Sequence, residues 1–295
     1  WRAVTVLAVG LGTLNTAYSV TFSNHPPSAM ALLVGFLLLW SWRRFGAGLG
    51  SVAASALMTA LAALTDHGAA FYLPAFLLYL VWPGAPRRRD AALVFTAAAA
   101  VPILAYAAYA MALSGSPLPL PLQPRLFDYP GSYFADRSHL AGSALPHASL
   151  GDFARYVGLC LVGYRGLFIH TPALLFVVWG MLRIATSRDQ PHRAEAILAL
   201  APTIVLVSYY LLTSTEPGGN AYGVRWFCLF IPMLYVFLAD AYRQLRSRTA
   251  HALFWVAYAV SFPLALIGAL DPWLDPTPYG TGFSWVLVLR AHGWL

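Results

Sequence analysis

Nine apolar stretches, separated by polar or Arg-bearing segments, constrain this chain more than any other feature. They run from Ala3 to Phe22, Ser28 to Trp42, Leu49 to Thr65, Ala69 to Trp82 and Ala91 to Leu113. After a long polar gap come Leu167 to Ile184, Ala196 to Thr213, Trp226 to Ala241 and Ala250 to Leu270. A helix needs about 20 mainly apolar residues to cross a hydrocarbon layer about 30 Å thick. The second and fourth stretches are short, and they count as spans because the loop charges around them demand a crossing. Composition agrees: 59% of the 295 residues are apolar and 10% are charged, against about a quarter charged in an ordinary soluble domain. That leaves too little polar surface to cover a soluble particle, which argues against a disordered chain, a nucleic-acid module or a cytosolic enzyme. The sequence therefore predicts an all-α, polytopic transmembrane helix bundle of about nine spans, forming one domain over residues 1–295.

All 18 basic residues are Arg. Twelve of them, including Arg2, Arg43, Arg44, Arg87, Arg193 and Arg248, fall in short loops at alternating ends of the spans, which marks that side as cytoplasmic. Arg125, Arg137, Arg155, Arg165, Arg225 and Arg290 fall on the other side. Residues 114–166, residues 214–225 and the stretch from Asp271 then face outward. Within the long outer loop, Ser116 to Leu122 alternates Pro and Leu and reads as an extended strip, because Pro fixes φ and removes a donor. Ser149-Leu-Gly-Asp152 reads as a helix start. Leu150, Phe153, Val157 and Leu161 follow at helical spacing, so Ser149 to Gly163 is expected to lie at the outer surface as an amphipathic helix. Cys160 and Cys228 are far apart in apolar segments and suggest neither a disulfide nor a metal cluster. The start at Trp1 rather than Met reads as a fragment or a processed chain.

Ionisable groups are scarce inside the spans: His170 just inside the sixth, Asp240 near the end of the eighth, His251 at the start of the ninth. A proton-coupled transporter or ion channel usually needs such groups at mid-membrane depth. Here the polar residues gather instead at the outer ends: Asn24, His25, Asp66, His67, Asp128, Asp136, Arg165, His170, Glu216, Asn220, Tyr222 and Arg225. A site at that boundary suits an amphiphilic substrate with a lipid tail and a polar head. In Glu216-Pro-Gly-Gly-Asn-Ala-Tyr-Gly-Val-Arg225 the Gly pair with Pro and Asn lets the backbone turn tightly and approach a ligand. Tyr222 offers a ring face and a hydroxyl, and Arg225 a two-pronged phosphate contact; a plain loop with a snorkelling Arg is the alternative. In Gly163-Tyr-Arg-Gly-Leu-Phe-Ile-His-Thr-Pro172, Arg165 is either a lipid-phosphate contact or part of a hinge before a helix cap. His25 could contact sugar hydroxyls, act as a base or bind a metal, and Asp66 could orient His25 or His67. No spacing rule brings these together, and the pattern is too loose for a zinc site.

Four stretches resemble a known family. They are Ser23-Asn-His-Pro-Pro ahead of a span, Tyr106 to Pro117 ending in Gly-Ser-Pro, Tyr164-Arg-Gly-Leu-Phe-Ile-His-Thr-Pro, and Gly218-Gly-Asn-Ala-Tyr-Gly-Val-Arg-Trp. Together and in order they resemble the bacterial members of the GT-C superfamily of integral membrane glycosyltransferases, those related to protein mannosyltransferases and lipid A aminoarabinose transferase. The resemblance implies transfer of a sugar from a polyprenyl-phosphate donor to a lipid, glycan or protein acceptor, with inversion, on the non-cytoplasmic side of the bacterial inner membrane. It implies an acidic base and stabilisation of the leaving phosphate by a divalent cation (Mg or Mn) or by basic residues. The family's usual catalytic Asp lies in an outer loop before the first span seen here, so the main acid/base is expected upstream of residue 1. Asn24 stands where relatives often have Asp, and Val224 where they have Pro. Substrate contacts are expected from Arg225, Tyr222, Arg165, His25, Asn24, His170 and Asn220, with Asp66 as the one candidate acid in this chain. The rival readings are a transporter or lipid flippase, which would need a polar path across the bundle, and a non-catalytic membrane subunit.

Overall fold

The computed structural model describes residues 1–130, 147–214, 217–274 and 282–295, and among these every regular element is helical. In chain order they are α1 (Arg2–Leu11), α2 (Leu14–Ser19), α3 (His25–Phe45), α4 (Leu49–Thr65), α5 (Tyr72–Val81), α6 (Arg88–Ser114) and α7 (Leu150–Leu161). Then follow α8 (Leu167–His170), α9 (Ala173–Thr186), α10 (Arg193–Thr213), α11 (Ile231–Tyr235), α12 (Leu238–Arg243), α13 (Arg248–Leu270) and α14 (Ser284–Ala291). Three of them, α6, α10 and α13, are long and apolar enough to cross a membrane. Their outward faces carry bare aliphatic side chains, such as Leu93, Val101 and Leu104 on α6 and Val256, Val260 and Leu266 on α13. Such faces are stable only against an apolar surrounding.

The second, third, fifth, seventh and ninth expected spans each form one helix, whereas the first, sixth and eighth are broken. In the first, Thr13 stops α1 by donating its hydroxyl to the Val9 carbonyl (3.0 Å). The freed Leu14 amide then donates to the Thr171 hydroxyl (3.2 Å), which sits at the break between α8 and α9. One interrupted stretch thus satisfies a freed backbone donor of the other, as a buried polar group requires. Pro172 marks the second break, and the Ala173 amide after it donates to the Ser261 hydroxyl of α13 (3.3 Å). The eighth stretch divides into a 3₁₀ turn (Arg225–Leu229), α11 and α12, with Pro232 in the first turn of α11. All five residues of α11 are buried, so this irregular backbone lies inside protein, the setting in which it is tolerated. The fourth stretch opens with a 3₁₀ turn (His67–Phe71) before α5.

Small residues let the helices approach closely. A Cβ on Gly180 of α9 would stand 2.4 Å from Cα and Cβ of Ala241 in α12. The Ser55 hydroxyl of α4 donates to the Gly35 carbonyl of α3 (2.7 Å).

At the end of the bundle carrying Arg43, Arg44 and Arg193 lies an ion pair that sequence reasoning passed over. Glu195 of α10 is 0% exposed. Arg44 of α3 holds it with two parallel bonds, Nε to Oε1 (2.8 Å) and Nη2 to Oε2 (2.9 Å). The Tyr79 hydroxyl of α5 donates to the same Oε1 (2.7 Å). Arg43 lies over the Tyr79 ring, 4.7 Å from its centre. One carboxylate therefore clamps three helices.

The outer loop departs from one expectation and meets most of another. The Pro-rich strip is extended only in part: Pro119 keeps polyproline-like dihedrals (φ −49°, ψ 133°), but Leu120–Leu122 winds into a 3₁₀ turn, a second turn follows at Pro124–Phe127, and the buried Gln123 between them donates its amide to the Leu118 carbonyl (2.6 Å). The helix expected from Ser149 to Gly163 is α7, and the Ser149 side chain caps it by accepting from the Asp152 amide (3.1 Å). Phe153, Val157 and Leu161 pack against the core as expected, beside the more deeply buried Tyr156 and Cys160, while Leu150 is 82% exposed. Asp136, Arg137 and Glu216 lie outside the described residues.

Candidate functional site

The end opposite the Arg44–Glu195 clamp gathers the turns after α2, α4, α7 and α10 with the strand of chain after α13. The first two turns are laced together. The Asn24 amide donates to the Thr65 carbonyl (2.9 Å), and the Ser28 hydroxyl to the Ala62 carbonyl (2.9 Å). Between these ties, Nδ1 of His25 lies 2.7 Å from Oδ2 of Asp66, with both side chains largely buried. Asp66 ends α4 and caps the following 3₁₀ turn, where its Oδ1 accepts from the Gly68 amide (3.1 Å). Asn24 is itself exposed, and its amide is committed to the Thr65 carbonyl.

The described part of the glycine loop turns through left-handed backbone at Gly218 (φ 95°) and Gly219 (φ 67°), which glycine adopts without strain. Arg165 donates to the Gly219 carbonyl from the turn between α7 and α8. Arg225 approaches the same glycine: a Cβ there would lie 4.0 Å from its Nη2. Arg225 opens its 3₁₀ turn, which the Asn15 side chain of α2 fixes by donating to the Cys228 carbonyl (2.8 Å). Neither guanidinium has a carboxylate partner among the described residues, and the buried Arg225 Nε has no hydrogen-bond acceptor.

Tyr222 is fully buried. Its amide donates to the Pro272 carbonyl (3.0 Å), its hydroxyl to the Leu264 carbonyl (2.6 Å), and its carbonyl accepts from the Tyr18 hydroxyl (2.9 Å). Burial pushes the phenol above its ordinary pKa, so it stays a donor. The residue thus anchors the loop against α13 and α2, and its ring face is not open. His170 is also buried. Its Nδ1 sits 2.8 Å from the Gly166 carbonyl and its ring meets Tyr222 edge-on at 4.7 Å. It lies behind the loop rather than on its surface. Asn220 is exposed at the rim.

Gly268 makes room for the anchor, since a Cβ there would stand 2.4 Å from the Tyr222 ring. Gly268→Ala is expected to destabilise the protein by about 1–3 kcal/mol through overpacking. Unfolding in detergent checks this, and an unshifted transition would mean that the ring has slack.

Two aromatic residues connect these groups, and the sequence reading named neither. Trp273 follows α13 and is 39% exposed. Its indole N–H donates to the Thr21 hydroxyl (2.9 Å), and the Arg225 guanidinium carbon lies 5.3 Å from its ring centre. Tyr18 packs edge-on against Trp273 (5.6 Å) and against His25 (6.5 Å). The row therefore runs Arg165, Arg225, Trp273, Tyr18, His25, Asp66. The signals were present, a Trp beside Pro in an outer segment and a Tyr near a helix end, but neither pattern names a partner.

The described residues do not assemble a donor set for a divalent cation. Both Asp66 oxygens are engaged, Asn24 is turned to Thr65, and no three His, Cys, Asp or Glu side chains gather among the described residues. Cys160 and Cys228 are free thiols.

The fold and site define a class: an all-helical protein with helices able to cross a membrane and a basic, aromatic site at one end. No family model, curated protein or solved structure matches the chain.

Proposed function

We propose that this chain forms the membrane-embedded site of a multi-pass glycosyltransferase of the bacterial inner membrane. It would take a sugar from a polyprenyl-phosphate carrier to a lipid, glycan or protein acceptor at the non-cytoplasmic face. One observation carries the reading: Arg165 and Arg225, without carboxylate partners among the described residues, meet at Gly219 beside the half-exposed Trp273. Paired guanidiniums match a phosphate in shape and charge. The Trp273 face suits the apolar side of a sugar ring, and the aliphatic flanks of α6 and α13 suit an isoprenoid tail. In the transfer, an acceptor oxygen bonds to the anomeric carbon from the face opposite the phosphate. The bond from that carbon to the phosphate oxygen breaks, and its electron pair leaves on the lipid phosphate. Arg165 and Arg225 bind the charge that grows there. Asn220 at the rim is a further polar contact, while Tyr222 and His170 hold the loop in place.

The chain's mid-bundle polarity favours transfer over transport. The buried hydroxyls of Ser55, Thr59, Thr203 and Ser261 each donate to a nearby backbone carbonyl, so these donors are spent on the bundle's own backbone. The test is to incubate vesicles carrying the protein with radiolabelled polyprenyl-phosphate sugars and a cell-envelope extract. Label is expected to leave the lipid donor, and none to leave a water-soluble nucleotide sugar. Intact lipid donor crossing between leaflets without loss of its sugar would overturn the reading in favour of a flippase.

A further inference from the structure

Resting on the transfer reaction proposed above, we infer that a cavity of about 570 Å³ beside α7 is the acceptor subsite, and that the acceptor is a saccharide held through its hydroxyls. A transfer site must bring an acceptor oxygen within bonding distance of a carbon whose phosphate rests on Arg165. The acceptor's site must therefore adjoin that arginine. The cavity does: Tyr164 stands in its wall, and the next residue is Arg165, about 3.8 Å on along the backbone. The turn carrying both is fixed. The Gly166 amide closes it onto the Gly163 carbonyl (2.8 Å), and the Ser284 amide at the start of α14 donates to the Tyr164 carbonyl (3.2 Å). Arg165 also lies within electrostatic reach of Cys160, one turn from Tyr156 on α7.

The sequence builds the wall on one stripe of the helix. Asp152, Arg155, Tyr156 and Leu159 fall at i, i+3, i+4 and i+7, the spacing of a single helical face. Phe153, Val157 and Leu161 take the neighbouring stripe and pack against the core. His147 completes the wall ahead of the helix. Its Nε2 donates to the Leu211 carbonyl near the end of α10 (2.9 Å), and its ring packs on those of Phe153 and Tyr156, with centres 5.2 and 5.0 Å away. The charged pair in the stripe is held open. Asp240 and Arg243 have the same spacing and order, and they close into an ion pair at 2.7 Å. Asp152 instead accepts from the Ser149 hydroxyl (2.7 Å). Arg155 is exposed and has no hydrogen-bond or ion-pair partner among the described residues.

That chemistry selects the ligand. A carboxylate only accepts hydrogen bonds and a guanidinium only donates them, whereas a sugar hydroxyl does both. The Tyr156 and Tyr164 rings suit the apolar face of a sugar ring. Asp152 would repel a phosphate, and Arg155 a cationic peptide. The cavity also falls within the usual size of small-ligand sites, about 300–1,000 Å³.

The experiment measures binding apart from transfer. Protein in detergent is equilibrated with radiolabelled probes from a bacterial envelope extract: intact glycolipids, the saccharides that mild acid releases from them, and peptides from a protease digest. Wild type is expected to retain saccharide, and Arg155→Ala to weaken that binding about 10-fold or more, the scale of one charged hydrogen bond. Leu159→Trp, which fills the cavity, should do the same. Donor binding and melting curves should stay at wild-type values in both, since neither side chain is buried. In turnover, acceptor KM should rise while kcat changes little. Tighter binding of intact glycolipid than of released saccharide assigns a lipid-anchored acceptor, and equal binding a free one; either supports the saccharide site. Retention of peptide alone, of neither saccharide form, or of saccharide untouched by both variants overturns the inference. Wild type that binds saccharide through Arg155 yet transfers no sugar sinks the transfer reading and leaves a saccharide site. Wild type that transfers sugar, with acceptor KM unmoved in both variants, sinks only the subsite.

Discussion

Arg225→Ala is expected to lower kcat/KM for a polyprenyl-phosphate sugar about 100-fold or more, the scale of losing one charge-stabilising donor at a leaving group. The side chain is positioned by neighbours, and among the described residues no carboxylate pairs with it. Asn15 fixes the turn that Arg225 opens, and Trp273 carries the guanidinium on its ring face. The free side chain is therefore pre-organised, so little ordering remains when phosphate arrives. Arg225→Lys should recover only a small part of the loss, because a lysine ammonium is a point charge without the planar fork. Arg165→Ala should cost less than Arg225→Ala, since Arg165 is partly committed to the Gly219 carbonyl. The double variant should fall short of the product of the singles, because both groups act on one phosphate. Donor turnover in detergent or vesicles provides the measurement. Full activity in Arg225→Ala would remove the leaving-group clamp from the proposal.

The second large effect is structural and lies at the other end of the bundle. Arg44→Ala is expected to destabilise the protein by about 3 kcal/mol, the lower part of the range for removing one partner of a buried pair. Glu195 would keep only the Tyr79 hydroxyl, in a position with no exposure. The lower part of the range applies because the Arg44 side chain retains 35% exposure, so water can partly replace it. Glu195→Gln should cost less than Arg44→Ala, since a neutral amide keeps the Tyr79 bond without an unpaired charge. Replacing Arg44 and Glu195 together by Met should recover much of the loss, because two apolar side chains leave nothing unpaired. Unfolding in detergent, followed by tryptophan fluorescence, reads all three. Equal stability for Arg44→Ala and wild type would mean that water satisfies Glu195.

Hydropathy made most of the helix inventory legible. The boundaries of α4 coincide with the apolar stretch Leu49 to Thr65, and α6, α10 and α13 differ from their stretches by a few residues at most. These helices keep a lipid-compatible face along their length, so periodicity and length suffice to define them. The Ser149 cap of α7 was also readable, because capping is chemistry between neighbours in sequence. Continuity of the eighth stretch was not readable. Trp226 to Ala241 is as apolar as the others, yet it divides into three pieces because α11 is buried on every side and borrows its support from other helices.

The site divides along the same line. Sequence alone put Arg165, Arg225, His25 and Asp66 in loops at one end, since the alternation of spans and Arg-bearing loops decides which ends share a side. It could not pair His25 with Asp66 across 41 residues, set Trp273 beneath Arg225, or turn Tyr222 inward to bond Leu264. Nor could it join Arg44 to Glu195 across 151 residues. Hydrophobicity is additive along a chain, so long apolar helices such as α6, α10 and α13 can be located from composition. A hydrogen bond or ion pair depends on distances of a few ångströms between remote segments, and only the packed bundle determines those distances.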